Sequence, residues 1–350
     1  MKILYSLNTP CLVVDYRLLL KNIKTMASFV KKSGVNIRPH FKTHKCVEIA
    51  KLQIKYGAIG ITCATIDEAE ALAKGGIKSI LIANQLTDEH KIKRLLKLQK
   101  NNNQVIVGVE DETNLALLND LAGRQKKKIN VLIEVDTGMG RLGRVPGADT
   151  LCFAGLVTKM KNINLLGLTG YEGHAVFIRN KKERKEKARK AMKLLTESAK
   201  LLVKYGVPVG IVSAGGTGTY DITGKISGVT ELQAGSYVFM DEKYRSLIKS
   251  FEESLFVLSS ICGVRYDGSY IIDAGRKSLS SEFGDPQVGK KPILKMSEEH
   301  SNVQGSKVFA GQRVLVTPTH CCTTVNLHEK LNVINKNGSV KVWKIHRARL

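Results

Sequence analysis

Residues 38–45, RPHFKTHK, gather two histidines and two lysines within eight positions, just after the apolar-leaning run Gly34–Ile37. A lysine amine can form a Schiff base with a carbonyl, and an imidazole can carry protons near neutral pH. A second concentration is SAGGTGTY, residues 213–220, with two glycine-flanked threonines behind a glycine pair. Glycines let a backbone approach an anion closely, and amides and hydroxyls then donate to its oxygens. The pattern is not the GxxxxGK[ST] of a nucleotide P-loop. A third is THCC, residues 319–322, whose imidazole and thiolates are good zinc ligands. In an extended chain His320 and Cys322 project to one side and Cys321 points away, without a ligand role. A buried histidine beside small apolar cysteines is the competing reading.

The elements that must position these groups follow from the pattern of apolar runs. NIRPHF near 36–41, AIGITCA near 58–64, SILIA at 79–83 and QVIVGV at 104–109 read as strands. NVLIEVD at 130–136, NLLGLTGY at 164–171, VGIVSA at 209–214 and TELQAG at 230–235 continue the series. Helix-like segments with acidic starts and basic or glycine-rich ends separate them. Eight strands alternating with helices predict an α/β fold, a TIM-type (β/α)8 barrel. An open doubly wound sheet is the alternative, but no GxGxxG follows the first strand. Beyond about residue 250 the rhythm becomes all-β, with strands such as SLFVLSSICGVR, QRVLVTPTHCCTTVNL and SVKVWKI. The expected domains are a barrel over residues 11–245 and a β-domain over 1–10 and 246–350, which CLVVD at 11–15 could also join.

Active sites of such barrels lie at the C-terminal ends of the strands. Lys42 with His40 and His44 closes the first strand, and DTGMGRLG (136–143) with Arg141 follows the fifth. YEGH, Tyr171 to His174, follows the sixth, SAGGTGTY the seventh, and Tyr237 the eighth, so all five gather at one mouth. Barrels often hold phosphate through loops after strands seven and eight, where Gly216, Thr217, Gly218 and Thr219 fall. A phosphate site opposite a strand-end lysine suggests pyridoxal phosphate, with Lys42 as its Schiff-base partner. In an extended strand His40, Lys42 and His44 share one face and Lys45 the other. Such a cofactor nearby puts the metal reading of His320 and Cys322 ahead of the packing one.

The composition bounds the partners. The formal charge is +24, yet Lys and Arg are scattered from Lys2 to Arg349 without a nucleic-acid-binding motif. The densest run, NKKERKEKARK at 180–190, continues as an amphipathic helix and is read as its solvated face. No apolar run is long enough to span a membrane. No secretory signal is evident, and seven irregularly spaced cysteines suit a reducing cytoplasm.

TPCLVVD, RPHFKTHK, VDTGMGRLG, YEGHA, SAGGTGTY, ELQAGSYVFMD, DAGRKSLS, SEEH and PTHCCTTVNLH together resemble the D-threonine aldolase/D-serine dehydratase family over nearly the whole chain. These are fold-type III pyridoxal-phosphate enzymes with an alanine-racemase-like barrel. The resemblance implies Lys42 as the Schiff-base lysine and Arg141 as the contact to the cofactor ring oxygen. Gly216 to Thr219 become the phosphate cradle, Tyr171 and Tyr237 active-site positions, with His40 beside the cofactor. His320 and Cys322 become the metal pair, and a homodimer with shared active sites is expected. Family aldolases commonly carry His-x-Asp and use manganese, whereas zinc-dependent dehydratases carry His-x-Cys, as this chain does. D-serine dehydratase, giving pyruvate and ammonia, is therefore the favoured activity. D-threonine aldolase is the alternative, with His174 a helper in either. A racemase, and a non-catalytic pyridoxal-phosphate-binding protein, are weaker alternatives. Lys277 is expected to be structural or a substrate-carboxylate contact, and Asp273 and Glu299 could be solvated charges.

Overall fold

The computed structural model describes residues 2–99, 104–305 and 307–347. It divides into two compact units, one carrying residues up to Met26, Thr43–Glu48 and Ser236–Arg347, the other Ala27–Lys42 and Ile49–Gly235. Strand β1 (Cys11–Asp15) belongs to the first of these.

The other unit contains β2 (Asn36–Ile37), β3 (Ile61–Cys63), β4 (Ser79–Ile82) and β5 (Gln104–Val109). It continues with β6 (Ile129–Glu134), β7 (Ile163–Thr169), β8 (Ile211–Ala214) and β9 (Glu231–Leu232). They form one parallel sheet in the order β2-β9-β8-β7-β6-β5-β4-β3. Its ends meet: His40 bridges Thr62 in parallel, and the N–H groups of Ile59 and Thr62 donate to the carbonyls of Ile37 and Pro39. The eight-stranded barrel is thus closed, as the alternation of strand and helix predicts. The strands are near-continuous apolar runs because parallel strands are covered on both faces. Four of the helices between them start on side-chain caps, Thr65, Asp88, Asp111 and Asn180 each accepting from a backbone N–H in the first turn. The basic run at 180–190 is the outer face of helix Lys181–Lys204, which buries Ala188, Ala191, Leu195 and Leu202.

One charged pair is buried in the barrel. The Arg38 guanidinium donates to both carboxylate oxygens of Glu231 at 3.0 and 3.1 Å and to Ser79 at 2.7 Å. Ser213 also donates to Glu231. Gly60 makes room, since a Cβ there would lie 2.1 Å from the guanidinium. Bidentate geometry offsets the desolvation of both ions, and removing one partner would cost about 3–5 kcal/mol.

The β-rich unit holds β1 with β10 (Leu255–Val264), β11 (Tyr270–Ile272), β12 (Gln287–Val288) and β13 (Lys291–Met296). It is completed by β14 (Ser301–Val303), β15 (Arg313–Thr317), β16 (Lys330–Ile334) and β17 (Val340–Lys344). The order is β11-β14-β13-β12-β15-β10-β1-β16-β17, and a further β11–β10 pairing closes six of these strands into a ring. Strand β1 runs antiparallel to β10 and parallel to β16. That pairing moves the expected boundary at residue 11, since the first strand belongs with the β-rich unit. The boundary expected at 245 moves to Ser236.

Candidate active site

In the barrel unit the residues after β2 turn instead of extending. Phe41–Thr43 is a single 3-10 turn, so His40, Lys42 and His44 do not share a strand face. The turn is closed by the Lys42 N–H pointing to Nδ1 of His40 at 3.4 Å. It separates the roles of the octet: Lys42 is exposed, whereas His44 is fully buried. His44 stacks edge-on to Phe239 and accepts from the Cys46 N–H, a packing role in the β-rich unit.

The Lys42 amine lies 6.0 Å from the centre of the Tyr171 ring. Tyr171 in turn flanks the glycine–threonine loop, because a Cβ on Gly216 would fall 3.1 Å from its ring and hydroxyl. Lysine, tyrosine and cradle are therefore neighbours. Gly215, at φ +86°, is in the conformation that favours glycine, and a Cβ on Gly218 would meet the Val176 carbonyl at 2.1 Å.

The loop rests on a residue to which the sequence assigned no role. Glu172 is fully buried and accepts from Thr219 Oγ1 at 2.7 Å, from the Gly215 N–H at 3.2 Å and from the Thr223 hydroxyl. The Thr219 N–H is also committed, donating to the Gly216 carbonyl. Thr219 thus ties the glycine–threonine loop to Glu172 and closes its turn. Nothing in YEGH marks its glutamate as buried; only the fold does.

The loop after β6 makes a second nest. Asp136 accepts from the N–H groups of Gly138, Met139 and Gly140 at 2.9, 2.9 and 3.1 Å. Burial alone would raise its carboxyl, but these donors and nearby His174 outweigh it and hold the group below the usual carboxylate range. His174 is exposed and borders this nest, with its Cε1 3.6 Å from where a Gly138 Cβ would stand. Arg141 lies 3.5 Å from Glu134 Oε1, and Gln85 holds the other oxygen of that carboxylate at 2.7 Å. Tyr237 belongs to the β-rich unit, 2% exposed, with its ring on Phe251.

In the β-rich unit THCC is not on a strand. His320 caps the short helix Cys321–Val325, and the donor atoms of His320, Cys321 and Cys322 all lie within 4.8 Å of one another. Cys321 therefore does not point away, because helical turning brings adjacent side chains around. Asp241, fully buried, lies 3.0 Å from His320 Nδ1 and accepts from the Cys321 N–H at 3.0 Å. Thr43 Oγ1 and Ser236 Oγ lie 3.3 and 3.6 Å from Cys322 Sγ. Burial works against a charged His320, but the Cys322 sulfur and the Asp241 carboxylate push it up to about 11. The Cys322 thiol is held well below its usual range by a hydrogen bond from Cys321 and then by the imidazole charge. Burial and the neighbouring sulfur keep Cys321 a thiol. This imidazolium–thiolate pair is the state a soft divalent cation would replace, taking His320 Nε2 and Cys322 Sγ while Asp241 fixes Nδ1.

Asp273 is held by Thr9, Ser259 and the Ser260 N–H at 2.5, 2.6 and 2.8 Å, so it is no solvated charge. Lys277 pairs with Glu298 and Glu299 at 3.3 and 3.0 Å on the surface, which fits a structural lysine.

A closed eight-stranded parallel barrel with a separate β-rich unit is the architecture of the alanine-racemase-like class. Comparison with known proteins agrees. Residues 14–243 match the family described as alanine racemase, N-terminal domain, and residues 254–334 the putative serine dehydratase domain. D-threonine aldolase of Arthrobacter sp is 33% identical, covering 98% of this chain and 93% of the relative. D-threo-3-hydroxyaspartate dehydratase of Delftia sp. (strain HT23) is 27% identical, covering 97% and 98%. The crystal structure of D-threonine aldolase from Filomicrobium marinum superposes with a TM-score of 0.93 at 29% identity, covering 98% and 96%. The chain belongs to the D-threonine aldolase/D-serine dehydratase family, whose members are lyases of D-amino acids.

Proposed function

We propose that the chain is a dehydratase of D-3-hydroxy amino acids, D-serine foremost, releasing pyruvate and ammonia. It would hold pyridoxal phosphate on Lys42 and a divalent ion on His320 and Cys322. The observation that carries this reading is the nitrogen–sulfur donor pair backed by Asp241. A thiolate donor favours zinc over a hard ion such as manganese.

Pyridoxal phosphate supplies an electron sink for charge at the substrate α-carbon. A divalent ion supplies Lewis acidity toward a β-hydroxyl. The chain's own residues do the rest. The Lys42 amine, exposed beside Tyr171, takes the α-proton onto Nζ. The loop Gly216–Thr219 would bind a phosphate through the Thr217 and Gly218 amides and the Thr217 hydroxyl, with its shape fixed by Glu172. Arg141, ion-paired with Glu134, would present its guanidinium to a ring oxygen, and His40 braces the lysine turn. His174, exposed beside the Asp136 nest, is the candidate helper. Thr43, the residue after Lys42, steadies Cys322. Seven free cysteines support a reducing cytoplasm as its setting, and a homodimer is part of the same reading.

Retro-aldol cleavage of D-threonine is the second reading, favoured by 33% identity to an aldolase against 27% to a dehydratase. Incubation with D-serine and with D-threonine separates the two. Keto acid from D-serine is expected; glycine from D-threonine, with no keto acid from either, would sink the dehydratase.

A further inference from the structure

Several surface cations on the other barrel helices pair with acids. Lys91 pairs with Asp88, Lys93 with Glu89, Arg94 with Asp67 and Glu70, and Arg124 with Asp120. The first turns of helix Lys181–Lys204, KKERKEKARK, concentrate cations without such pairing at Lys181, Lys185 and Arg189. Lys181, Lys185 and Arg189 recur every four residues and so form one stripe. They share a cleft of about 270 Å³ with Lys225, from the segment that follows the glycine–threonine loop. None of these four cations has an ion-pair partner among the described residues.

The cleft also has a buried charge. Arg184 is 4% exposed and donates to the Ile178 carbonyl at 2.7 Å, which anchors its guanidinium in the wall. Asp221 is the single acid lining the site, and one of its oxygens is buried without a protein donor. Five positive charges around one negative repel one another across a concave wall, a cost that an anion of matching charge relieves. The cleft is separate from the cradle. Asp221 and Ile222 line it, whereas Thr219 and Thr223, on either side of them in the chain, bond to Glu172.

We propose that this cleft binds a small molecule bearing two or more linked phosphate groups. Its volume is at the small end for ligand sites, and its charge exceeds what one monophosphate would neutralise.

The test is a calorimetric titration with inorganic pyrophosphate at about 0.15 M salt, on protein kept in excess pyridoxal phosphate so that the cradle is filled. Saturable binding with one site per chain is expected. The variant Lys185→Ala/Arg189→Ala/Lys225→Ala should weaken it about tenfold or more through lost charge-assisted hydrogen bonds. Lys185→Arg, which conserves charge, should retain binding. No saturable heat in the wild type, or equal binding by the triple variant, would overturn the proposal. So would binding of a single-stranded oligonucleotide that pyrophosphate does not displace, which would mark a nucleic-acid surface instead. The readout is heat of binding, so it stands whether or not the lyase reading survives.

Discussion

Glu172 lies directly beneath Thr219, accepting its hydroxyl proton at 2.7 Å while its second oxygen takes the Gly215 N–H. One buried carboxylate therefore fixes both ends of the cradle's first turn. Glu172→Gln replaces one acceptor oxygen by a donor and sets it against a donor already there. It should lower stability by about 1–3 kcal/mol, measured by denaturant unfolding, and weaken retention of pyridoxal phosphate. Unchanged unfolding would remove Glu172 from this role.

Lys42→Ala should abolish the visible absorbance of bound pyridoxal phosphate and reduce turnover by roughly 10²–10⁴-fold or more. Because Lys42 is exposed, folding should be unaffected, which circular dichroism checks. A variant that keeps both colour and activity would place the anchor elsewhere.

Asp241→Asn keeps the cap on the Tyr244 N–H but alters the partner of His320 Nδ1. Affinity for zinc should fall about 10–100-fold, read by competition with a colorimetric chelator. An equal affinity in variant and wild type would make Asp241 a structural cap alone.

The Asp136 carboxyl is lower in the fold than in an unfolded chain, so its charged form is the one folding favours. Its contribution is complete above the ordinary carboxylate pKa and is lost as pH falls through the folded value. Amide exchange in residues 138–140 should therefore lose protection on the acid side of pH 4, roughly the ordinary carboxylate range. Asp136→Asn should show weak protection at neutral pH already. Protection that does not change with pH would show that the nest holds without the charge.

All eight barrel strands were legible because parallel strands, buried on both faces, read as plain apolar runs. Strands β12 to β14 were not. Gln287–Val288 is too short, and KPILKM has two exposed residues between buried ones because the register shifts between Ile293 and Lys295. In the candidate site, Lys42 stands out in the sequence from its place after a predicted strand. The 3-10 turn that sets its direction, and the helix carrying Cys321 and Cys322, depend on tertiary contacts that local pattern does not encode. Glu172 and Asp241 were missed for a related reason. Their partners lie 47 and 79 positions away in sequence, so nothing adjacent announces that either acid is buried.

The pairing of Leu12 with Leu331 sets an order on biosynthesis. Strand β1 is translated before every barrel strand, yet both its neighbours, β10 and β16, follow the last of them. The barrel's own strands are all available before either appears, so the nascent chain can complete that ring while its leading strand still waits. Until β10 and β16 emerge, CLVVD must travel with both edges unclaimed, an apolar ribbon that a ribosome-bound chaperone would hold.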